Sequence, residues 1–201
     1  MLRCAITDGT ASHHVNAAQI DRLQNRVRRW AADGIELIQI RERNLDAGAL
    51  LTLTETALHT LREMQSTAKL LVNTRADVAI AARAHGVHLT SHPDELTPQQ
   101  VRELFTHAGL TAPIVSVSCH TPTDIAHARH NAADFILFGP VFEKRINGEL
   151  VTEGAGLEAL SFACAIAQQI PVLALGGITP QNSAVCLASG AIGIAGIRTF
   201  L

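Results

Sequence analysis

Tyrosine is absent from this chain of 201 residues, and aromatic residues make up only 3% of it. Its core must therefore be filled by Ala, Leu, Ile and Val, which is possible because hydrophobic residues reach 47% and charged residues only 17%. A basic face is also missing. The net charge is -2 with the 10 histidines neutral, which argues against a nucleic-acid partner. No apolar run reaches the ~20 residues that a membrane-spanning helix needs. The first residues, MLRCAITDGT, lack the apolar stretch of a secretion signal. The four cysteines, Cys4, Cys119, Cys164 and Cys186, form no CxxC pair. They read as free thiols of a cytoplasmic protein. No linker or low-complexity tract divides the chain, so residues 1–201 are expected to form one domain.

What is present is a strict alternation. Short β-like runs at 3–7, 35–40, 69–73, 86–89, 113–118, 134–139, 171–177 and 191–197 are separated by helix-length segments. In the first helix Ile20, Leu23, Val27 and Trp30 share a face, and Gly34 ends it. Thr97-Pro98, Thr121-Pro122 and Thr179-Pro180 mark three helix starts. Strands joined by helices are parallel, because each return needs a crossover. Eight strands with seven full helices predict an α/β fold, an eightfold parallel β/α (TIM) barrel. An open doubly wound sheet is the competitor, but it usually uses fewer strands. The last strand is followed only by RTFL, so the eighth helix is absent or very short. Another helix or a second subunit, as in a homodimer, would then cover that side.

Barrel enzymes carry their chemistry at the C-terminal ends of the strands. Those ends are polar or glycine here: Asp8, Arg41, Asn73, His88, His120, Gly139-Pro140, Gly176-Gly177 and Gly196. In the run IQIRERN, alternation puts Gln39 and Arg41 on the face opposite Ile38 and Ile40, hence into the barrel mouth, with Arg43 in the loop above. A guanidinium there calls for an anion. The alternative is a structural ion pair with Asp8 or Glu42. Gly176, Gly177 and Gly196-Ile197 follow the seventh and eighth strands, where barrels commonly hold phosphate on backbone N–H groups. His120 is a candidate general acid or base, or else a cap for the next helix. His88, His92 and Asp94 could mimic a metal cluster, but Pro93 argues against the helix that such a pair needs. His13-His14 could close over a substrate or simply be solvated.

In order, ITD, QIRER, NTRADVA, GVHL, VSCHT, DFILFGPVF, PVLALGGI and GIAGI resemble the thiamine phosphate synthase and TenI superfamily, over essentially the whole chain. The resemblance implies an eightfold β/α barrel and a thiamine-biosynthesis enzyme that binds a phosphorylated thiazole. A synthase of this family joins a pyrimidine pyrophosphate to a thiazole phosphate and releases pyrophosphate. Its pattern would place Gln39, Arg41, Arg43 and Asn73 on substrate and would require Mg2+. The sequence departs from that pattern. Thr74 stands where the magnesium-binding Asp of the Asn-Asp-Arg motif is expected, Asp94 lies out of register, and EKRING replaces a phosphate-gripping segment. Lys144 and Arg145 are the possible substitutes there. TenI-like members keep the thiazole-phosphate half and are associated with a metal-free tautomerisation that aromatises a carboxylated thiazole phosphate. By resemblance, His120 would shuttle the proton, Arg41 or Lys144 would meet the carboxylate, and Gly176, Gly177, Gly196 and Ile197 would hold the phosphate. No resident cofactor is then implied. The synthase and a non-catalytic thiazole-phosphate binder are the alternatives. A sugar-phosphate epimerase would need a paired acid and base that is not evident.

Overall fold

A computed structural model describes residues 1–9, 15–146 and 149–200, and of 144–146 the backbone alone. His13-His14 and the side chain of Lys144 lie outside the described residues. Eight parallel strands close into a barrel in the order β1-β10-β9-β6-β5-β4-β3-β2. They are β1 (Leu2–Ile6), β2 (Leu37–Ile40), β3 (Lys69–Asn73), β4 (Gly86–Leu89), β5 (Ile114–Cys119), β6 (Phe135–Phe138), β9 (Val172–Leu175) and β10 (Gly193–Gly196). The crossovers are the helices α1 (Ala17–Ala32), α2 (Ala47–Glu63), α3 (Ala76–Ala81), α4 (Pro98–His107), α5 (Pro122–His130), α6 (Gly156–Ala167) and α7 (Ser183–Ala188).

Local chemistry explains several boundaries. Asn16, Thr97 and Thr121 each accept from the backbone N–H three residues on, and the side chain at that third position returns a bond to the cap. Pro98 and Pro122 take first-turn positions, where the missing N–H costs nothing. After α1 the chain turns at Gly34 with φ +68, a left-handed conformation that favours glycine.

Two features depart from the alternation. A two-stranded antiparallel hairpin, β7 (Lys144–Ile146) with β8 (Glu149–Thr152), is inserted between β6 and α6. EKRING is therefore not a plain loop. The last helix, α7, also begins at Ser183 rather than at Thr179-Pro180. Thr179 to Asn182 form a separate turn, in which Thr179 N–H donates to Asn182 Oδ1 at 2.8 Å.

The barrel interior is divided. From β1, β2, β6, β9 and β10 it receives Cys4, Ile6, Leu37, Leu137, Leu173 and Ala195, an apolar plug. From β2 to β5, near the C-terminal ends, it receives Gln39, Asn73, His88 and Ser116, all buried. The main core lies outside the sheet, where Ile38, Ile40, Leu70 and Val87 meet the helices. Burial pushes the Cys4 and Cys119 thiols up to about 12, so neither is a ready nucleophile. No helix follows β10 among the described residues. Phe200 instead packs on the main core, and its carbonyl accepts from Trp30 Nε1 at 2.8 Å. The end of the chain is thereby tied to α1.

Candidate active site

A cavity of about 560 Å³ opens at the C-terminal ends of the strands. One wall is hydrocarbon: Ile6, Leu137, Leu175, Ile197 and Pro140. The other carries Gln39, Arg41, Arg43 and Asn73 with the histidines His88, His92 and His120. Thr90, Ser91, Ser118, Gly139 and Gly176 complete the lining. No Asp or Glu is among these residues.

The basic wall is short of counter-charge. Asp8, a candidate partner for Arg41, is paired with Arg26 at 2.9 Å. Neither Arg41 nor Arg43 has a carboxylate within ion-pair distance among the described residues. Burial, and then the charge of Arg43, pull the Arg41 pKa below its ordinary value, while Glu42 pushes it back. The Arg41 backbone N–H donates to the buried Thr7 hydroxyl at 2.8 Å, which fixes where the side chain leaves the strand. Gln39 is 1% exposed and donates through Nε2 to Asn73 Oδ1 at 2.8 Å. Its Oε1 is buried and has no hydrogen-bond partner among the described residues. Such an acceptor awaits an N–H or O–H from a ligand or water.

His88 is a different kind of group. Its Nδ1 and Nε2 lie 2.9 Å from the Ser116 and Ser118 hydroxyls. Desolvation first, and then Arg41 and Arg43, hold its pKa down to about 3. It is a neutral positioning group for Ser118, and both of its nitrogens are engaged.

His120 sits at the mouth, exposed, where β5 gives way to α5. Its Nδ1 is hydrogen-bonded to the Gly139 carbonyl. A carbonyl only accepts, so Nδ1 carries the proton, and in the neutral ring Nε2 is the free acceptor. Asp124 Oδ2 accepts from the His120 and Thr121 backbone N–H groups at 2.8 and 2.9 Å. The cap of α5 thereby anchors the residue.

The cavity brings together Gln39, Arg41, Arg43, Asn73, His120, Gly176 and Ile197. Gly177 and Gly196 do not line it, contrary to the expectation that all three glycines face a phosphate. Gly177, at φ +65, has room only for hydrogen against Phe142, since a Cβ there would come within 2.7 Å of the Phe142 Cβ. Gly196 is packed in the same way under Thr199. The loop at Gly176 is held by its neighbours: Phe142 N–H donates to the Gly176 carbonyl at 3.0 Å, and Asn182 Nδ2 to that of Gly177 at 3.0 Å. Sequence reading overlooks Asn182 and Ser118. Stepping back by two from His120 along β5 would have found Ser118.

The residues present do not fit a divalent cation of the kind the synthases use. Thr74 offers a hydroxyl where a carboxylate is expected. Asp94 lies outside the cavity, with its side chain 92% exposed and 3.7 Å from His92. Among the described residues no group of three His, Cys, Asp or Glu side chains could hold a metal.

A parallel β/α barrel with a polar, ligand-sized cavity at the C-terminal ends of its strands is the architecture of barrel enzymes. The family model described as thiamine monophosphate synthase matches residues 5–200. A Geobacter sulfurreducens protein, provisionally named thiamine-phosphate synthase, is 40% identical over 174 residues, 85% of this chain and 75% of its own. The thiamine-phosphate synthase of Chlorobium luteolum is 32% identical over 192 residues, 96% of this chain and 81% of its own. The solved structure of thiamine phosphate pyrophosphorylase from Pyrococcus furiosus superposes with a TM-score of 0.75 at 27% identity, covering 98% of this chain and 85% of that one. The chain belongs to the thiamine monophosphate synthase family and is a thiamine-biosynthesis enzyme.

Proposed function

We propose that the chain is a TenI-like thiazole tautomerase, acting on a carboxylated thiazole phosphate. The observation that carries this reading is the cavity lining: hydrocarbon on one wall; on the other, three histidines and two guanidinium groups that have no ion-pair partner among the described residues; and no carboxylate among the lining residues. The apolar wall suits a flat heteroaromatic ring. Arg41 would meet the ring carboxylate, with Lys144 a further cation whose side chain lies outside the described residues. The backbone of Gly176 and Ile197 would receive the phosphate. Gln39 Oε1 would accept a hydrogen bond from the ligand. His120 Nε2 would take a proton from one carbon and return it to another, so that one C–H bond breaks, one forms and the ring becomes aromatic. No electrons leave and no second reactant is needed.

The synthase reading is supported by the names of the relatives and by the retained Gln39, Arg41 and Asn73. It is weakened by Thr74 and by the position of Asp94. A silent binder would leave His120 without work.

The test is conversion of the carboxylated thiazole phosphate, followed by its ultraviolet spectrum, with wild type and His120→Gln. The expected result is turnover by wild type and a loss of about 10²–10⁴ in kcat for the variant, with binding retained. Equal rates for the two would remove His120 from the chemistry.

A further inference from the structure

Beside the main cavity lies a second one of about 280 Å³, and the two meet at Arg43, Asn73 and Thr90. Its polar lining continues with Glu42, Thr74 and Arg75. We infer that this chain neutralises its anionic ligand at that junction with the guanidinium groups of Arg41 and Arg43 in place of a divalent cation, so that phosphate-class anions bind without metal. The inference shares with the proposed function only that Arg41 meets an anionic group of the ligand; it rests neither on the reaction nor on the phosphate position at Gly176 and Ile197.

Three observations converge on it. Arg43 lines both cavities and Arg41 the main one beside it, and among the described residues neither has a carboxylate within ion-pair distance; Arg43 acts as a cation on Arg41, and both act on His88. Arg41 is half-buried and Arg43 exposed; like charges that act on one another are relieved by an anion and opposed by a third cation. Arg75 is not a third member, because Asp77 holds it in a two-pronged pair at 2.8 and 2.5 Å.

The second observation is Thr74. It sits at φ +59, a left-handed conformation unusual for a β-branched residue. Its N–H donates to the His88 carbonyl at 2.8 Å, and Asn73 Nδ2 reaches its hydroxyl at 3.4 Å. A neutral hydroxyl thus lines the second cavity with Arg43, at the position where the family pattern carries a magnesium-binding Asp; a carboxylate there would offset the charge of Arg43.

Third, among the described residues that line the second cavity Glu42 is the one carboxylate, and its charge already acts on Arg41. With one carboxylate against two guanidinium groups, the junction has a positive balance. That suits a doubly charged phosphate and not a hydrated magnesium ion.

The experiment is calorimetric titration of the full chain with inorganic pyrophosphate, once with chelator and once with magnesium. The expected affinity with chelator equals that with magnesium or exceeds it. Arg43→Ala, a change at an exposed side chain, should weaken binding in chelator by about tenfold or more. Arg43→Lys should recover part of the loss, since it keeps the charge and loses the planar fork. Thr74→Asp should weaken binding in chelator and introduce a gain on adding magnesium. Binding only with magnesium, no binding in either buffer, or unchanged affinity of Arg43→Ala would overturn the inference. None of these would touch the tautomerase reading, which is judged by turnover of the thiazole.

Discussion

His88 shows how the same element of structure can serve the site and burden the fold. Buried between two serine hydroxyls and near two guanidinium groups, it stays neutral down to about 3. In the unfolded chain an ordinary histidine takes up its proton near 6.5. Between those values the unfolded state binds a proton that the folded state does not. The stability contributed by neutral His88 is therefore full above 6.5 and is lost as pH falls toward 3. His85 is shifted in the same direction, by burial and then by Lys69, and accepts from Leu70 N–H through Nδ1 at 3.0 Å. The urea midpoint should fall as pH is lowered from about 7 to about 5, and less steeply for His88→Gln than for wild type. Equal slopes would mean that the unfolded chain holds His88 in a similar environment. Residues of this kind are half legible in sequence. Period-two alternation finds Gln39, Arg41 and His120, because a strand puts every second side chain on one face. It can put Ser118 on the face of His120, but it does not show that Ser116 and Ser118 meet His88, because they lie some thirty residues away and reach it only when the barrel closes.

At the scale of elements, the loop after β9 is built by one side chain. Asn182 accepts from Thr179 N–H at 2.8 Å and donates to the Gly177 carbonyl at 3.0 Å, which sets the turn that presents Gly176 to the cavity. Asn182→Ala should weaken binding of thiazole phosphate while costing only about 1 kcal/mol of stability, because the turn is exposed. A calorimetric titration beside a denaturation curve checks both, and unchanged affinity would show that the loop holds its shape without Asn182. The sequence reading carries Thr179-Pro180 as a helix start, since the pair looks like those at 97–98 and 121–122. It fails there because the Asn182 amide captures Thr179 in a turn of its own. The β7–β8 hairpin escapes for a different reason. Its first strand contains Lys144 and Arg145, which read as loop, and the short-range signal for a hairpin is only the Asn147-Gly148 dipeptide in the sequence. Where propensity and periodicity agree, as in β3 and β4, the expected and observed strands coincide at 69–73 and 86–89.

Across the whole molecule, the barrel follows from the alternation of eight buried strands with helices, and that much is legible before any coordinates. The division of the interior is less so. Apolar residues from β1, β6, β9 and β10 and polar residues from β2 to β5 become two walls of one cavity only through the circular order of the strands. That order also brings β10 beside β1 and lets the Phe200 carbonyl meet Trp30 on the side where no helix follows β10 among the described residues. On the proposed function, two guanidinium groups of the cavity meet an anion and its apolar wall meets a ring, and among the described residues no cluster of His, Cys, Asp or Glu could hold a metal. The most direct test of that account is pyrophosphate release from a mixture of pyrimidine pyrophosphate, thiazole phosphate and magnesium, run beside an authentic synthase. The account predicts no release above background from this protein, while the carboxylated thiazole phosphate is aromatised by the same preparation. Release at a rate comparable to the synthase would contradict it, and would mean that a metal site is rebuilt around Thr74 from groups that the cavity does not present.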